Sequence, residues 1–241
     1  MHFHLSISLR SLLNVGARIG QSVLAQDCLL CQAASGTQLL CAACARELPL
    51  TGPACPRCAL AVADNHECGA CIAEPPHYDA SCAAFLYTYP VDALIQALKY
   101  GGQLALAGMF AQAIHQCIGG ANDTDLILPL PLHPLRLAER GFNQSAEIAK
   151  ALSRLCGVAM DAQLARRVRN TAPQAQLPWR ERAANMRGAF ACDRDISGLN
   201  IAVVDDVMTT GATLDEFARS LKRSGASRVA NWVVARTPRG D

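Results

Sequence analysis

Short β-branched apolar runs alternate along this chain with longer stretches in which apolar residues recur at helical spacing. Ile201, Ala202, Val203 and Val204 form one such run, the composition of a strand buried on both faces in a parallel sheet. From Leu214 the spacing becomes helical, with Phe217, Ala218 and Leu221 on one face and Gly225 as the stop; residues 229–235 are then apolar again. Upstream, residues 82–89 read as a strand broken at Pro90. Residues 91–100 carry Leu94, Ile95 and Leu98 at helical spacing and stop at Gly101 and Gly102, and residues 104–118 form a second helical stretch. Residues 126–128 are a short strand, and a later helix presents Ile148, Ala149 and Leu152. Strands interleaved with helices predict an α/β fold, a parallel sheet flanked by helices.

The sharpest change of pattern follows the run at 201–204. Asp205 and Asp206 stand at its carboxyl end, the edge of an open α/β sheet where ligands bind. Thr209, Thr210, Gly211, Ala212 and Thr213 then make a small-residue turn onto the start of a helix, where free N–H groups and the helix dipole favour an anion. A loop of that size can cradle a monophosphate while the carboxylates accept hydrogen bonds from vicinal hydroxyls, so the chemistry implied is a sugar phosphate. A nucleoside triphosphate fits less well, because the chain has no GxxxxGK[ST] sequence. The plain alternative is an acidic pair that merely caps the next helix.

The chain has 241 residues, half of them apolar, which suffices for one α/β domain and a small accessory module. A net charge of +2 without a long basic run neither demands nor excludes nucleic acid. Of the twelve cysteines, eight form four CxxC pairs: Cys28 with Cys31, Cys41 with Cys44, Cys55 with Cys58, and Cys68 with Cys71. The pairs are separated by nine, ten and nine residues, which predicts two successive ribbon-like half-units and two structural Zn2+ sites of four thiolates each. Pairing of alternate knuckles, an iron-sulfur cluster or a disulfide framework are the competing arrangements, and His66 could stand in as a ligand. Cys82, Cys117, Cys156 and Cys192 read as free thiols that act as small hydrophobes.

Organisation follows: a leader at 1–25 that could form an amphipathic helix, a double zinc-ribbon module at 26–77, a stiff connector at Glu74, Pro75 and Pro76, and an α/β domain at 78–241. No stretch reaches the roughly eighteen uninterrupted apolar residues of a membrane span, and a cytoplasmic protein is expected. Pro129, Pro131, His133 and Pro134 mark a rigid loop at a second strand end. Arg136 and Arg140 then precede a helix start, where they bind phosphate or form a solvated basic turn. Residues 166–190 hold six arginines and read either as a mobile basic flap over a polyanion or as a solvated linker. Lys99 is assigned to the helix C-terminal dipole in preference to ligand contact.

The segment VVDDVMTTGAT resembles the phosphoribosyl pyrophosphate (PRPP) signature of type I phosphoribosyltransferases. With four CxxC knuckles, LKYGG at 98–102, RGFNQ at 140–144, TAPQAQL and RAANMRGAF, nearly the whole chain resembles the ComF/GntX family of competence-related proteins. The resemblance implies a zinc ribbon joined to a phosphoribosyltransferase-like domain and a role in DNA uptake during natural transformation. It implies that Asp205 and Asp206 hold the ribose hydroxyls as the catalytic pair, that Thr209 to Thr213 bind the 5-phosphate, and that Mg2+ accompanies PRPP. Arg140 and Arg182 are the candidates for the pyrophosphate side, and Gln174 and Asn185 match further family positions. Two classes remain open: a PRPP-fold module handling single-stranded DNA with a competence helicase or recombination mediator, and a phosphoribosyltransferase acting on a base or amine.

Overall fold

The computed structural model describes residues 26–119, 123–169 and 186–238, and the chain divides into two compact units after Leu48. In the first unit, β1 (Gln26–Asp27) pairs antiparallel with β2 (Ala34–Gly36), and α1 (Ala42–Arg46) follows. Cys28 N–H donates to Ala33 O at 2.8 Å and Gln32 N–H to Cys28 O at 2.9 Å, a tight knuckle that forces Gln32 to φ 60°. The second unit repeats this turn: Cys55 N–H donates to Leu60 O at 2.7 Å, Ala59 N–H to Cys55 O at 2.8 Å, and Ala59 takes φ 56°. A left-handed non-glycine residue costs about 1–2 kcal/mol, and its recurrence at both knuckles marks a turn held by something else. The other CxxC of each set caps a short helix, Cys41 before α1 and Cys68 before α2 (Gly69–Ala73).

The rest of the second unit is the α/β domain: β3 (Ala80–Leu86), α3 (Val91–Tyr100), α4 (Leu106–Ile118), β4 (Leu126–Pro129), α5 (Pro134–Arg140), α6 (Gln144–Cys156), β5 (Ala165–Arg167), β6 (Phe190–Cys192), β7 (Asn200–Met208), α7 (Ala212–Arg223) and β8 (Arg228–Arg236). The main sheet has the order β3-β8-β7-β4 with every pair parallel, so all four carboxyl ends lie along one edge. Ile201 and Val203 of β7 pack into one core cluster with Val229, Val233, Leu214, Phe217, Leu221 and Phe190, and the Phe190 and Phe217 rings lie 4.9 Å apart. Ala202 and Val204, also buried, turn to the other face by the period of two. Burying each large apolar side chain contributes roughly 1.5–3 kcal/mol. Cys55, Cys58, Cys71 and Tyr78 belong to the same cluster as β7 and α7.

Three sequence expectations change. Strand β7 does not stop at Val204 but runs to Met208, because β8 continues to pair with it, Asp205 opposite Val233 and Met208 opposite Arg236. On the other side β4 ends at Pro129 opposite Val204, so the acidic pair sits where β7 has lost one neighbour. The proline-rich stretch after it is not simply a loop: Pro134 starts α5, whose first turn is capped by His133 Nδ1 accepting from Leu135 N–H at 3.3 Å. Cys82 and Cys117 are not two free thiols but a disulfide that ties β3 to α4. The basic segment 170–185, with Gln174, Arg182 and Asn185, lies outside the described residues, as does the leader at 1–25. Among the described residues, no helix is long and apolar enough to cross a membrane.

Candidate functional site

At the carboxyl edge of the sheet Asp205 and Asp206 are 8% and 4% exposed, and two neighbouring elements aim polar groups at them. Ser145, in the first turn of α6, donates its hydroxyl to Asp205 Oδ1 at 2.9 Å, and Lys99, in the last turn of α3, places Nζ 2.8 Å from Asp206 Oδ1. Lys99 therefore does more than complement a helix end. Burial alone would lower its pKa, yet the charge of Asp206 and its hydrogen bond outweigh that and raise it. Asp206 Oδ2 is buried without a hydrogen-bond partner. A buried carboxylate oxygen left unsatisfied costs about 1–3 kcal/mol or more. It is an acceptor in want of a donor, such as a sugar hydroxyl.

Burial first, and then the like charge of Asp206, push Asp205 up to about 7, against the opposing pull of Lys99, the Asp206 backbone and Ser145. Two adjacent buried carboxylates cannot both ionise cheaply, and the pair is poised to take up a cation or hydroxyl donors.

The loop behind the pair is shaped by one glycine. Gly211 adopts φ +85°, and a Cβ there would lie 3.0 Å from both Met208 Cε and Tyr78 Oη. Thr210 Oγ1 accepts from Ala212 N–H at 3.2 Å, and α7 begins at Ala212, so Thr209 to Thr213 wrap the helix N-terminus as the sequence implied.

The RGFNQ segment reaches the same edge. Gly141 closes α5 at φ 84° and Asn143 caps α6, its Oδ1 accepting from Ser145 N–H at 3.0 Å and its Nδ2 donating to Leu130 O at 3.0 Å. That cap sets Ser145 against Asp205. Arg140 donates to Gln144 Oε1, and its guanidinium lies 5.1 Å from the Tyr100 ring centroid and 3.4 Å from Tyr100 Oη. Tyr100 follows Lys99, so Arg140 joins the same neighbourhood through α3.

The sequence assigns no individual role to four contributors. Ser145 directly follows RGFNQ, Tyr100 lies within LKYGG, and Arg167 lies in the arginine-bearing stretch 166–190. The pKa of Arg167 on β5 is lowered by burial first and then by the charge of Arg136, while the charge of Asp205 pulls it back. Arg236, at the end of β8, is 4% exposed and lies under the loop.

Both four-cysteine sets assemble in sequential pairing: Cys28, Cys31, Cys41 and Cys44 bring their sulfurs within 4.8 Å of one another, and so do Cys55, Cys58, Cys68 and Cys71. The contacts Cys31–Cys41 and Cys58–Cys68 are each 3.7 Å between sulfurs. Tetrahedral zinc with bonds of about 2.3 Å sets its thiolates ~3.8 Å apart, so the donor sets fit that ion. Cys68 N–H also donates to Cys55 Sγ at 3.3 Å. His66 is exposed and takes no part. Four thiolates would close the coordination sphere of a bound zinc ion and leave no position for water. Purified protein is expected to contain two zinc ions per chain by mass spectrometry of metals; zinc-free protein with its eight knuckle thiols oxidised in pairs would contradict the assignment.

Residues 19–72 match the family model described as a double zinc ribbon domain. The DNA utilization protein YhgH of Salmonella typhimurium is 35% identical over 205 residues, covering 82% of this chain and 90% of that one. Competence protein F of Haemophilus influenzae is 29% identical over 208 residues, again 82% of this chain and 90% of that one. Among solved structures, a purine phosphoribosyltransferase from Pyrococcus horikoshii is similar over 56% of this chain and 82% of that one, at 17% identity and a TM-score of 0.33.

Proposed function

The chain belongs to the ComF/YhgH family, and from that premise we propose that it binds PRPP with Mg2+ at the carboxyl edge of its sheet and acts in the handling of single-stranded DNA during natural competence. The observation that carries the ligand reading is Asp206 Oδ2, buried and unpartnered beside a glycine-shaped loop at a helix N-terminus. Asp205 and Asp206 accept hydrogen bonds from the ribose hydroxyls, and Thr209 to Thr213 enclose the 5-phosphate with backbone N–H groups and hydroxyls. Lys99 supplies the cation that pairs with Asp206. Arg140, steadied by Tyr100 and Gln144, offers its charge to the pyrophosphate, and Arg182 is assigned to the same side. Mg2+, when bound with PRPP, neutralises pyrophosphate charge next to the acidic pair. The names of the relatives, a DNA utilization protein and a competence protein, support the DNA role. The cationic flank of Arg136, Arg140 and Arg167 suits phosphates of a single strand.

A second reading is favoured by Tyr100, which is 74% exposed beside Arg140. An open aromatic face at the rim of the site suits a planar acceptor, and the protein would then transfer phosphoribose to a base or amine with release of pyrophosphate. Catalysis would consist of holding the acceptor against C1 and stabilising the charge of the leaving group. The test is calorimetry of PRPP with Mg2+, followed by a pyrophosphate assay with bases, amines and single-stranded oligonucleotides. Heat without turnover, together with an oligonucleotide shift that weakens as salt rises, supports the binding role. Pyrophosphate release with one acceptor supports the enzyme. Absence of any PRPP heat with the unaltered protein rejects both.

A further inference from the structure

Arg236 is a buried guanidinium that meets carbonyl oxygens and, among the described residues, no carboxylate. Its Nε donates to Cys58 O at 2.9 Å; its Nη1 donates to Met208 O at 2.9 Å, to Thr209 O, and to Thr237 O at 3.2 Å. One side chain thus holds the backbone of a zinc knuckle at a ligand residue and the backbone where β7 passes into the Thr209–Thr213 loop. Two further contacts run in parallel. Tyr78, 4% exposed and packed in the same cluster as Cys55, Cys58 and Cys71, puts its hydroxyl 3.0 Å from where a Gly211 Cβ would be. His77 N–H donates to Asp215 Oδ1 at 2.6 Å, on the first turn of α7.

A buried cation that meets only carbonyl oxygens needs negative charge nearby, because desolvation costs several kcal/mol per ion. Four thiolates around one Zn2+ carry a net charge of about −2, against about zero for four protonated thiols. The second cysteine set, through Cys58, is the anionic group next to Arg236. With the metal bound it both neutralises the guanidinium and fixes the Cys58 carbonyl that orients it.

We infer that Arg236 is a positioning residue that makes metal occupancy of the Cys55, Cys58, Cys68 and Cys71 centre a condition for the shape of the Thr209–Thr213 loop. The second zinc centre is then part of the anion site rather than an appended module. The functional meaning of the loop rests on the PRPP reading; the coupling itself does not.

The experiment is therefore made without PRPP, by amide hydrogen exchange on the full-length, zinc-loaded protein. Arg236→Lys keeps the charge but cannot span carbonyls that lie in several directions. It is expected to speed exchange at 209–213 by about tenfold or more, the scale of a lost charged hydrogen bond. Exchange in β3 and zinc content should stay at parental values. In parallel, a chelator titration of the unaltered protein should open 209–213 together with residues 55–60 and before β3, irrespective of when residues 28–33 open. Two results overturn the inference: loop protection that outlasts loss of metal from the second centre, or loss of protection in the loop and β3 at one step. Should Arg236→Lys fail to fold, the titration decides alone. A protein that behaves as expected here but gives no heat with PRPP would strike the ligand reading and leave the coupling intact.

Discussion

Replacing both Asp205 and Asp206 with asparagine is expected to weaken binding of PRPP with Mg2+ by about 100-fold or more, the cost of roughly two charge-assisted interactions. The same region should respond in the opposite sense in a stability measurement. Asp205 is held at about 7 against an ordinary 3.8, so the folded state binds its proton more tightly than the unfolded state does. Stability from this group is fully present below the ordinary carboxylate pKa and is lost as pH rises through about 7. Asp205→Asn removes that loss while its amide oxygen can still accept from Ser145. At pH 8 the single variant should be more stable than its parent by at least ~1 kcal/mol, the worth of about one pKa unit, or roughly 2–4 °C in Tm. Near pH 4 the two should melt together. Thermal melts at the two pH values and calorimetry at pH 8 read both effects. A variant that loses stability at pH 8 would refute the account of a burdened acidic pair, whatever happens to binding.

Lys99→Met is expected to be the most damaging single substitution at the site. The Lys99 and Asp206 side chains are 17% and 6% exposed and 2.8 Å apart, so removing the ammonium leaves a nearly water-free carboxyl group beside Asp205 without its cation. Breaking a buried pair in this way costs about 3–5 kcal/mol, which corresponds to a fall of ~10 °C in Tm for a chain of this size. Asp206→Asn introduced into Lys99→Met should recover most of the loss, since it removes the orphaned charge. A denaturant series on the parent, the two singles and the double gives the coupling energy directly. Additive effects would mean that the ammonium contributes through packing of its alkyl chain alone.

The two predictions share a cause in the way the edge of the sheet is built. Strand β4 leaves the ladder at Pro129, β7 continues against β8 alone, and the gap is filled by side chains from α3 and α6. Asp205 accepts from Ser145, Asp206 pairs with Lys99, and Asp206 retains an oxygen that has no hydrogen-bond partner among the described residues. The site is thus strained by charge before any ligand arrives.

Local pattern was enough to locate the acidic pair, the small-residue loop and the helix after it, because strand burial, a left-handed glycine and a helix start each depend on residues close in the chain. The same holds for the CxxC knuckles, whose tight turns are built within six residues. The extent of β7 was not legible from its own residues: pairing with β8 carries it through Asp205 and Asp206 to Met208, and a hydrogen-bond ladder belongs to two strands at once. Sequential pairing of the cysteine sets was expected from their spacing and is the arrangement seen, whereas the Cys82–Cys117 bond, across 35 residues, needed the fold to bring its thiols together. Lys99 shows the distinction most plainly, since its position at a helix end was readable while its carboxylate partner, 107 residues away, was not. What the sequence by itself determined is which chemistry is present, two thiolate sets and a carboxylate pair beside an anion loop. Only the tertiary structure decided which charges are buried together, because desolvation and ion pairing depend on neighbours that the chain order does not reveal.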